Sequence, residues 1–164
     1  REELAKAIKA SGAARVICLD PRAYHRMGQE AGPARKMHFI ELAAEYAGRL
    51  KPASGKSFSY HEPDYLVRWS DLREAADTLL RALGDYKPPY WRGVEAKSLG
   101  GILSALYRPD FADMLAVARI EDFTELGVTT ILAATGDDLA ALEGPATARG
   151  MVCEHIAEAV AAAL

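Results

Sequence analysis

Cysteine is scarce in this 164-residue sequence: Cys18 and Cys153 are the two present, they show no CxxC spacing, and alone they cannot complete a zinc or iron-sulfur site. Two such thiols also exclude a disulfide scaffold and fit a reduced, cytoplasmic setting. No uninterrupted apolar run approaches the roughly 20 residues that a membrane helix needs, so no membrane insertion is expected. The Arg1-Glu2-Glu3 start lacks the basic and apolar regions of a signal peptide. Neither charge dominates: 20 basic residues stand against 23 acidic ones, for a net charge of -3, which leaves no positive field to attract nucleic acid. What is present, 50% hydrophobic and 26% charged residues, suits one soluble globular domain. At this length such a domain buries about two-thirds of its unfolded surface.

Four short β-rich runs, each bounded by turn residues, form the skeleton: Arg15-Val16-Ile17-Cys18-Leu19, Ser57-Phe58-Ser59-Tyr60-His61, Pro89-Tyr90-Trp91-Arg92-Gly93-Val94 and Val128 to Ala134. The third contains Pro and Gly and suits a sheet edge. Leu4, Ala5 and Ile8 open the chain on one helical face. After a polar stretch with Gly28, Gly32 and Pro33, the spacing predicts a helix through Met37, Ile40, Ala44 and Ala47, closed by Gly48 and Pro52. A second follows a Ser70 or Asp71 cap, with Leu72, Ala76, Leu79, Leu80 and Leu83 facing inward and Gly84 as its stop. A third starts at Pro109, buries Phe111, Met114, Leu115, Ala118 and Phe123, and ends at Gly127. The last carries Met151, Val152, Ile156, Ala159, Val160 and Ala163. Strands alternating with helices predict an α/β fold, a mainly parallel four-stranded sheet with helices on both faces. Such sheets place ligands at the carboxyl ends of their strands. The segments there are Leu19-Asp20-Pro21, His61-Glu62-Pro63-Asp64, Glu95-Ala96-Lys97 and Ala134-Thr135-Gly136-Asp137-Asp138.

The sequence has no Walker loop, GxGxxG, HExxH or GxSxG. Gly100-Gly101 reads as a tight turn, or as the lead into an anion-binding helix end. His61 beside Glu62 and Asp64 reads as a structural histidine, or as a metal or acid-base group. Asp137 and Asp138 read as helix-capping carboxylates, or as ligands. His25, His38 and His155 read as surface or helix-packing residues, and Cys18 as a small buried apolar one. Trp69 and the Pro88-Pro89-Tyr90-Trp91 stretch read as core or rim, or as a docking face.

The segment Tyr60-His61-Glu62-Pro63-Asp64-Tyr65-Leu66-Val67-Arg68 resembles the YHDPCYLGR signature of the CCG (cysteine-rich) domain. That family includes a component of heterodisulfide reductase and the iron-sulfur subunits of glycolate oxidase, lactate utilisation and anaerobic glycerol-3-phosphate dehydrogenase systems. Its signature cysteine is followed by a CC pair, often within CCGxGG, and then by a CxxC. Here Asp64 takes the first position, Ala96-Lys97 with Gly100-Gly101 the second, and Thr135-Gly136-Asp137-Asp138 the third. Upstream, Leu19-Asp20-Pro21-Arg22-Ala23-Tyr24 is similar to the CPxCY that ends a preceding repeat, and His38-Phe39-Ile40-Glu41-Leu42 is similar to the HxxEL helix after it.

The resemblance spans nearly all of residues 1–164, but it departs from the family at every cluster ligand, which implies a degenerate copy without a thiolate-held cluster. It also implies a single domain that is the C-terminal half of a longer two-repeat protein. Its partners would be an upstream CCG repeat or other oxidoreductase subunits, with an iron-sulfur cluster or flavin held elsewhere in the parent complex. The expected function is that of a cluster-free scaffold or docking module of an electron-transfer subunit, not catalytic alone. His61, Asp64, Lys97, Asp20, Thr135 and Asp138 are the expected lining of the former cluster pocket, with Lys97 reaching in to pair with Asp64, Asp20 or Asp138. Two alternatives stand beside it. The carboxylates with His61 could hold a hard or borderline metal, or Lys97 and Asp64 could act as the acid-base pair of a small-molecule enzyme.

Overall fold

The run Thr130–Ala133 (β5) is buried at every position, as the middle strand of a parallel sheet covered on both sides must be. Around it the computed structural model, which describes residues 2–27, 32, 34–52 and 55–164, builds two sheets. The larger has the order β4-β3-β5-β6 and is parallel throughout, with β3 at Ser57–Tyr60, β4 at Asp85–Tyr86 and β6 at Val152–His155. The smaller pairs β1 (Arg15–Cys18) with β2 (Arg35–His38), also in parallel. The polar stretch read at Gly28 and Pro33, and the opening Arg1, lie outside the described residues.

Side chains alternate across a strand, and each face of the larger sheet has its own core. Leu132, with Phe58 and Tyr60, packs on Leu79, Leu80 and Leu83 of α5 (Arg73–Leu83) and on Ile156 and Val160 of α9 (Ile156–Ala163). Ile131 faces the other way, onto Ile120 and Phe123 of α7 (Pro109–Glu125) and Leu142 of α8 (Gly136–Thr147). A third cluster joins Ile8 of α1 (Glu2–Ser11) to Cys18, Met27 of α2 (Pro21–Met27) and Ala34. Ile40 and Ala43 of α3 (Phe39–Glu45) tie the small sheet into the core around α5.

Five expectations fail. First, Pro89 to Val94 is not a strand: Pro88 and Pro89 lack N–H donors, Gly93 turns at a φ of 64°, and the edge pairing is made just before them by Asp85 and Tyr86. Second, Met37 and Val152 belong to β2 and β6, strands of four residues that run straight into helices and whose apolar residues also fit helical spacing. Third, the first β-run lies outside the larger sheet, because β2 takes its pairing. Fourth, α7 turns inward Ala116, Arg119, Ile120 and Phe123, which leaves Phe111 and Met114 exposed. Fifth, the helix after Ser70 is N-capped at Leu72 without a side-chain bond; the Ser70 hydroxyl donates to the Tyr65 carbonyl instead.

The segments β1-α2-β2-α3 and β5-α8-β6-α9 are one motif used twice. Each follows a helix stopped by a left-handed glycine, Gly12 or Gly127. In each, the second strand ends on a histidine that caps the next helix. His38 Nδ1 accepts from Ile40 N and His155 Nδ1 from Ala157 N, both at 3.2 Å, while Glu41 and Glu158 accept from the histidines' own N–H groups. Arg22 and Asp137 each stand four residues past matching strand ends, Cys18 and Ala133, and they pair with each other at 3.0 Å. The two copies thus meet at equivalent positions, in α2 and α8.

Burial pushes His38 down to about 4 from an ordinary 6.5, against the opposing effects of the Leu19 carbonyl and Asp20. The unfolded chain therefore takes up this proton first, and His38 withdraws stability as pH falls from about 6.5 to about 4. The loss should be on the order of 3 kcal/mol in denaturant titrations across that range. His38→Asn, which retains a capping side chain, should flatten that part of the profile; an unchanged slope would contradict the assignment.

Candidate functional site

The carboxyl ends of β1, β3 and β5 open onto one cavity of about 70 Å³. Asp20 and Arg22 enter from the β1-α2 turn, His61 and Asp64 from the end of β3, Ser98, Leu99 and Gly101 from the loop before α6 (Gly101–Tyr107), and Thr135, Asp137 and Asp138 from the β5-α8 turn. Five of the six expected site residues, Asp20, His61, Asp64, Thr135 and Asp138, thus line one space.

Four helices start at this cavity: α2, α4 (Asp64–Val67), α6 and α8. A helix start leaves N–H groups unpaired and carries partial positive charge, so each needs an acceptor. Asp20 Oδ1 accepts from Ala23 N at 2.7 Å, and Thr135 Oγ1 accepts from Asp138 N at 3.0 Å. Ser98 Oγ accepts from Gly100 N at 3.0 Å and donates to Asp64 Oδ2 at 2.5 Å. Asp64 sits in the first turn of α4 and also takes Arg68 Nε at 2.9 Å. Gly100 turns at a φ of 79°, and a Cβ there would meet Ser104 Oγ at 2.5 Å, so the tight-turn reading of the glycine pair holds for this position.

Lys97 departs from its expected place. Its Nζ lies 2.7 Å from Asp122 Oδ1 on α7, whereas Asp64 is held by Arg68 and Ser98, and Asp138 faces His61. The geometric basis of a Lys97–Asp64 acid-base pair is therefore missing. The reason is Arg119, a guanidinium with no exposed surface, which is not among the residues expected from the sequence. It donates through Nε to His61 Nδ1 at 3.3 Å and through Nη1 to Asp122 Oδ2 at 3.2 Å and the Trp91 carbonyl at 3.4 Å. Asp122 is thus shared between Arg119 and Lys97. The periodicity gives no signal for it: apolar residues lie all round α7, and packing alone puts Arg119 on the inward face with Ile120 and Phe123, where an arginine needs a buried partner.

Arg119 donates to Nδ1 of His61, and the other ring nitrogen, Nε2, lies 3.7 Å from Asp138 Oδ1. Burial works against ionisation of Asp138, yet His61, Thr135 and Arg22 together hold its carboxyl below the usual range. Glu62, also buried, accepts from Gly93 N and lies 3.8 Å from Arg92 Nε, and Arg92 in turn donates to Asp77. Among the described residues, no three His, Cys, Asp or Glu side chains form a group placed to hold a metal ion. Cys18 is buried, and its thiol is directed at Met27 Sδ, 3.9 Å away. His25 lies on the surface against Tyr65 and Trp69, while Tyr90, Trp91 and Trp69 are exposed.

No protein-family model and no curated protein matches the chain.

The lysine and arginine ends of this chain of charges should respond differently to truncation. Arg119→Ala leaves Asp122 and His61 in the interior without their central donor and should cost about 3–5 kcal/mol. Lys97→Met removes a half-exposed ammonium and should cost about 1 kcal/mol or less. Thermal melts of the two variants check the ordering, and equal losses would contradict it.

Proposed function

We propose that this chain is a cluster-free CCG-like domain that serves as a scaffold or docking module in a subunit of a heterodisulfide reductase-like, iron-sulfur oxidoreductase. The observation that carries the reading is the way the cavity is filled. Segments resembling the family's cluster-binding motifs meet at the strand ends: of the positions of the missing cysteines, Asp20, Asp64, Thr135 and Asp138 line one space, while Ala23, Ala96 and Lys97 lie outside its lining. An anionic cluster is suited to a point where several helix starts converge. Here the chain's own carboxylates and hydroxyls take that place: Asp20, Ser98 and Thr135 accept from the N–H groups, and Asp64 and Asp138 supply the negative charge. Most of the polar groups that a lost cofactor would strand thus meet one another, with Asp138 Oδ2 left buried and without a hydrogen-bond partner.

The repeated motif supports the docking half of the reading. Ile17 and Leu19 are 36% and 59% exposed, whereas Leu132 and Ala134, at the same positions of the second copy, are 2% and 1% exposed. What covers the second pair is β3 and the helices beyond it, and the β1 edge has no counterpart among the described residues. That edge is where an upstream repeat or another subunit would continue the sheet. Electron transfer in this reading belongs to clusters or flavin in other segments or subunits.

The test is anaerobic isolation of the full-length polypeptide from its own cells, followed by spectroscopy and dye-linked oxidoreductase assay. The expected product is a complex whose iron, flavin and turnover reside outside residues 1–164. In that complex Asp64→Asn should keep at least about half of the wild-type rate, since a scaffold touches no reacting atom. Isolation of an active protein whose turnover is abolished by Asp64→Asn, with folding intact, would overturn the reading.

A further inference from the structure

We infer that the face formed by α6 and the first half of α7 joins two copies of this chain about a two-fold axis. Helix α6 has no buried residue, although its sequence, Gly101-Ile102-Leu103-Ser104-Ala105-Leu106-Tyr107, is mostly apolar. A helix of seven residues does not sustain itself in water. Leu103, Leu106 and Tyr107 are 65%, 67% and 78% exposed, and they continue into Phe111 and Met114 on α7, which are 42% and 57% exposed. With Ile102 and Val117, these side chains offer on the order of 700 Å² of surface, taking each complete side chain at about 150–250 Å². That is larger than the apolar patch of an ordinary monomer and close to the roughly 800 Å² that each partner gives to a stable interface.

Shape and charge favour a second copy as the occupant. Beside the exposed ridge lies a groove of about 260 Å³ between α6, α7 and α8, lined largely by small apolar side chains that include Ala105, Pro109, Ala112 and Ala141. A ridge next to a groove is the self-complementary shape a two-fold contact requires, since each copy can insert its ridge into the groove of the other. In such a contact each charge also meets the region of its own counterpart, so a net charge of either sign is penalised. Helix α6 has no acidic or basic side chain apart from the Tyr107 phenol, and Arg108 and Asp110 at the turn are paired with each other at 3.0 Å. Three aspartates line the groove: Asp137 is paired with Arg22, Asp138 faces His61, and Asp113 is the acid that the contact must leave in water.

Sedimentation equilibrium of the chain tests this. Wild type should be a dimer with a micromolar dissociation constant, and Leu106→Lys should weaken it roughly thirtyfold or more. Leu19→Lys, at the β1 edge, should leave the constant unchanged, and far-UV circular dichroism confirms that each variant is folded. Tyr107→Glu serves as a second disrupting variant and should have the same effect. A wild-type chain still monomeric at about 100 µM, well above that constant, would overturn the inference. So would a dimer that survives Leu106→Lys and Tyr107→Glu but dissociates with Leu19→Lys. Coverage of Leu106 by another protein while the chain itself stays monomeric would overturn it too, and would leave the docking function standing.

Discussion

A guanidinium with no exposed surface sets the terms for the rest of this site. Burial lowers the affinity of Arg119 for its proton, and Asp122 opposes that shift from 3.2 Å. The arginine also lies against the ring of Phe123, at 4.5 Å from its centre. Nε donates to His61 and Nη1 also to the Trp91 carbonyl, which ties α7 to the end of β3 and to the loop beyond β4, while Nη2 is buried without a partner. A line of charge and hydrogen-bonding groups then runs from half-exposed Lys97 through Asp122, Arg119 and His61 to Asp138 and the start of α8. Desolvation can offset the attraction in such a line, so its removal as a whole need cost little, whereas removing one member strands the others.

The line ends in a cavity between the two copies of a repeated strand-helix motif. Arg22 and Asp137 meet there, and Asp20 and Thr135, which also occupy equivalent positions, both line the cavity. Each copy supplies one helix start from its own motif, so the positive ends of α2 and α8 converge there. Convergence of this kind requires negative charge at the centre. A bound anionic group could supply it; in this chain, aspartates and hydroxyls do so from the same backbone positions.

Much of this is legible in the sequence, and the failures have a common physical cause. Strands β1, β3 and β5 announce themselves as β-branched or aromatic runs between turn residues, and their ends can be named as the place where a site would form. Strands β2 and β6 escape, because Arg35-Lys36-Met37-His38 and Val152-Cys153-Glu154-His155 are short, partly polar and continuous with helices whose periodicity absorbs Met37 and Val152. His38 and His155 read as packing residues for the same reason, since their capping role emerges only once the strand before each is known. Asp20, His61, Asp64, Thr135 and Asp138 can be grouped because each follows directly from the end of a strand or a turn. Lys97 is misplaced by the sequence because its partner, Asp122, stands 25 residues away on a helix whose apolar spacing gives no place to Arg119. Side chains that answer one another across elements leave no local signature.

The most direct measurement of the proposal that the chain's own side chains stand where the resembling family holds a cluster is anaerobic reconstitution of the chain with ferrous iron and sulfide. It is followed by desalting, iron and sulfide analysis and a visible absorption spectrum. A self-answered cavity predicts a colourless protein with iron and sulfide far below one equivalent per chain. Stoichiometric iron and sulfide with a charge-transfer band in the visible range would mean that Asp, His or Cys18 ligates a cluster here, and would contradict the account.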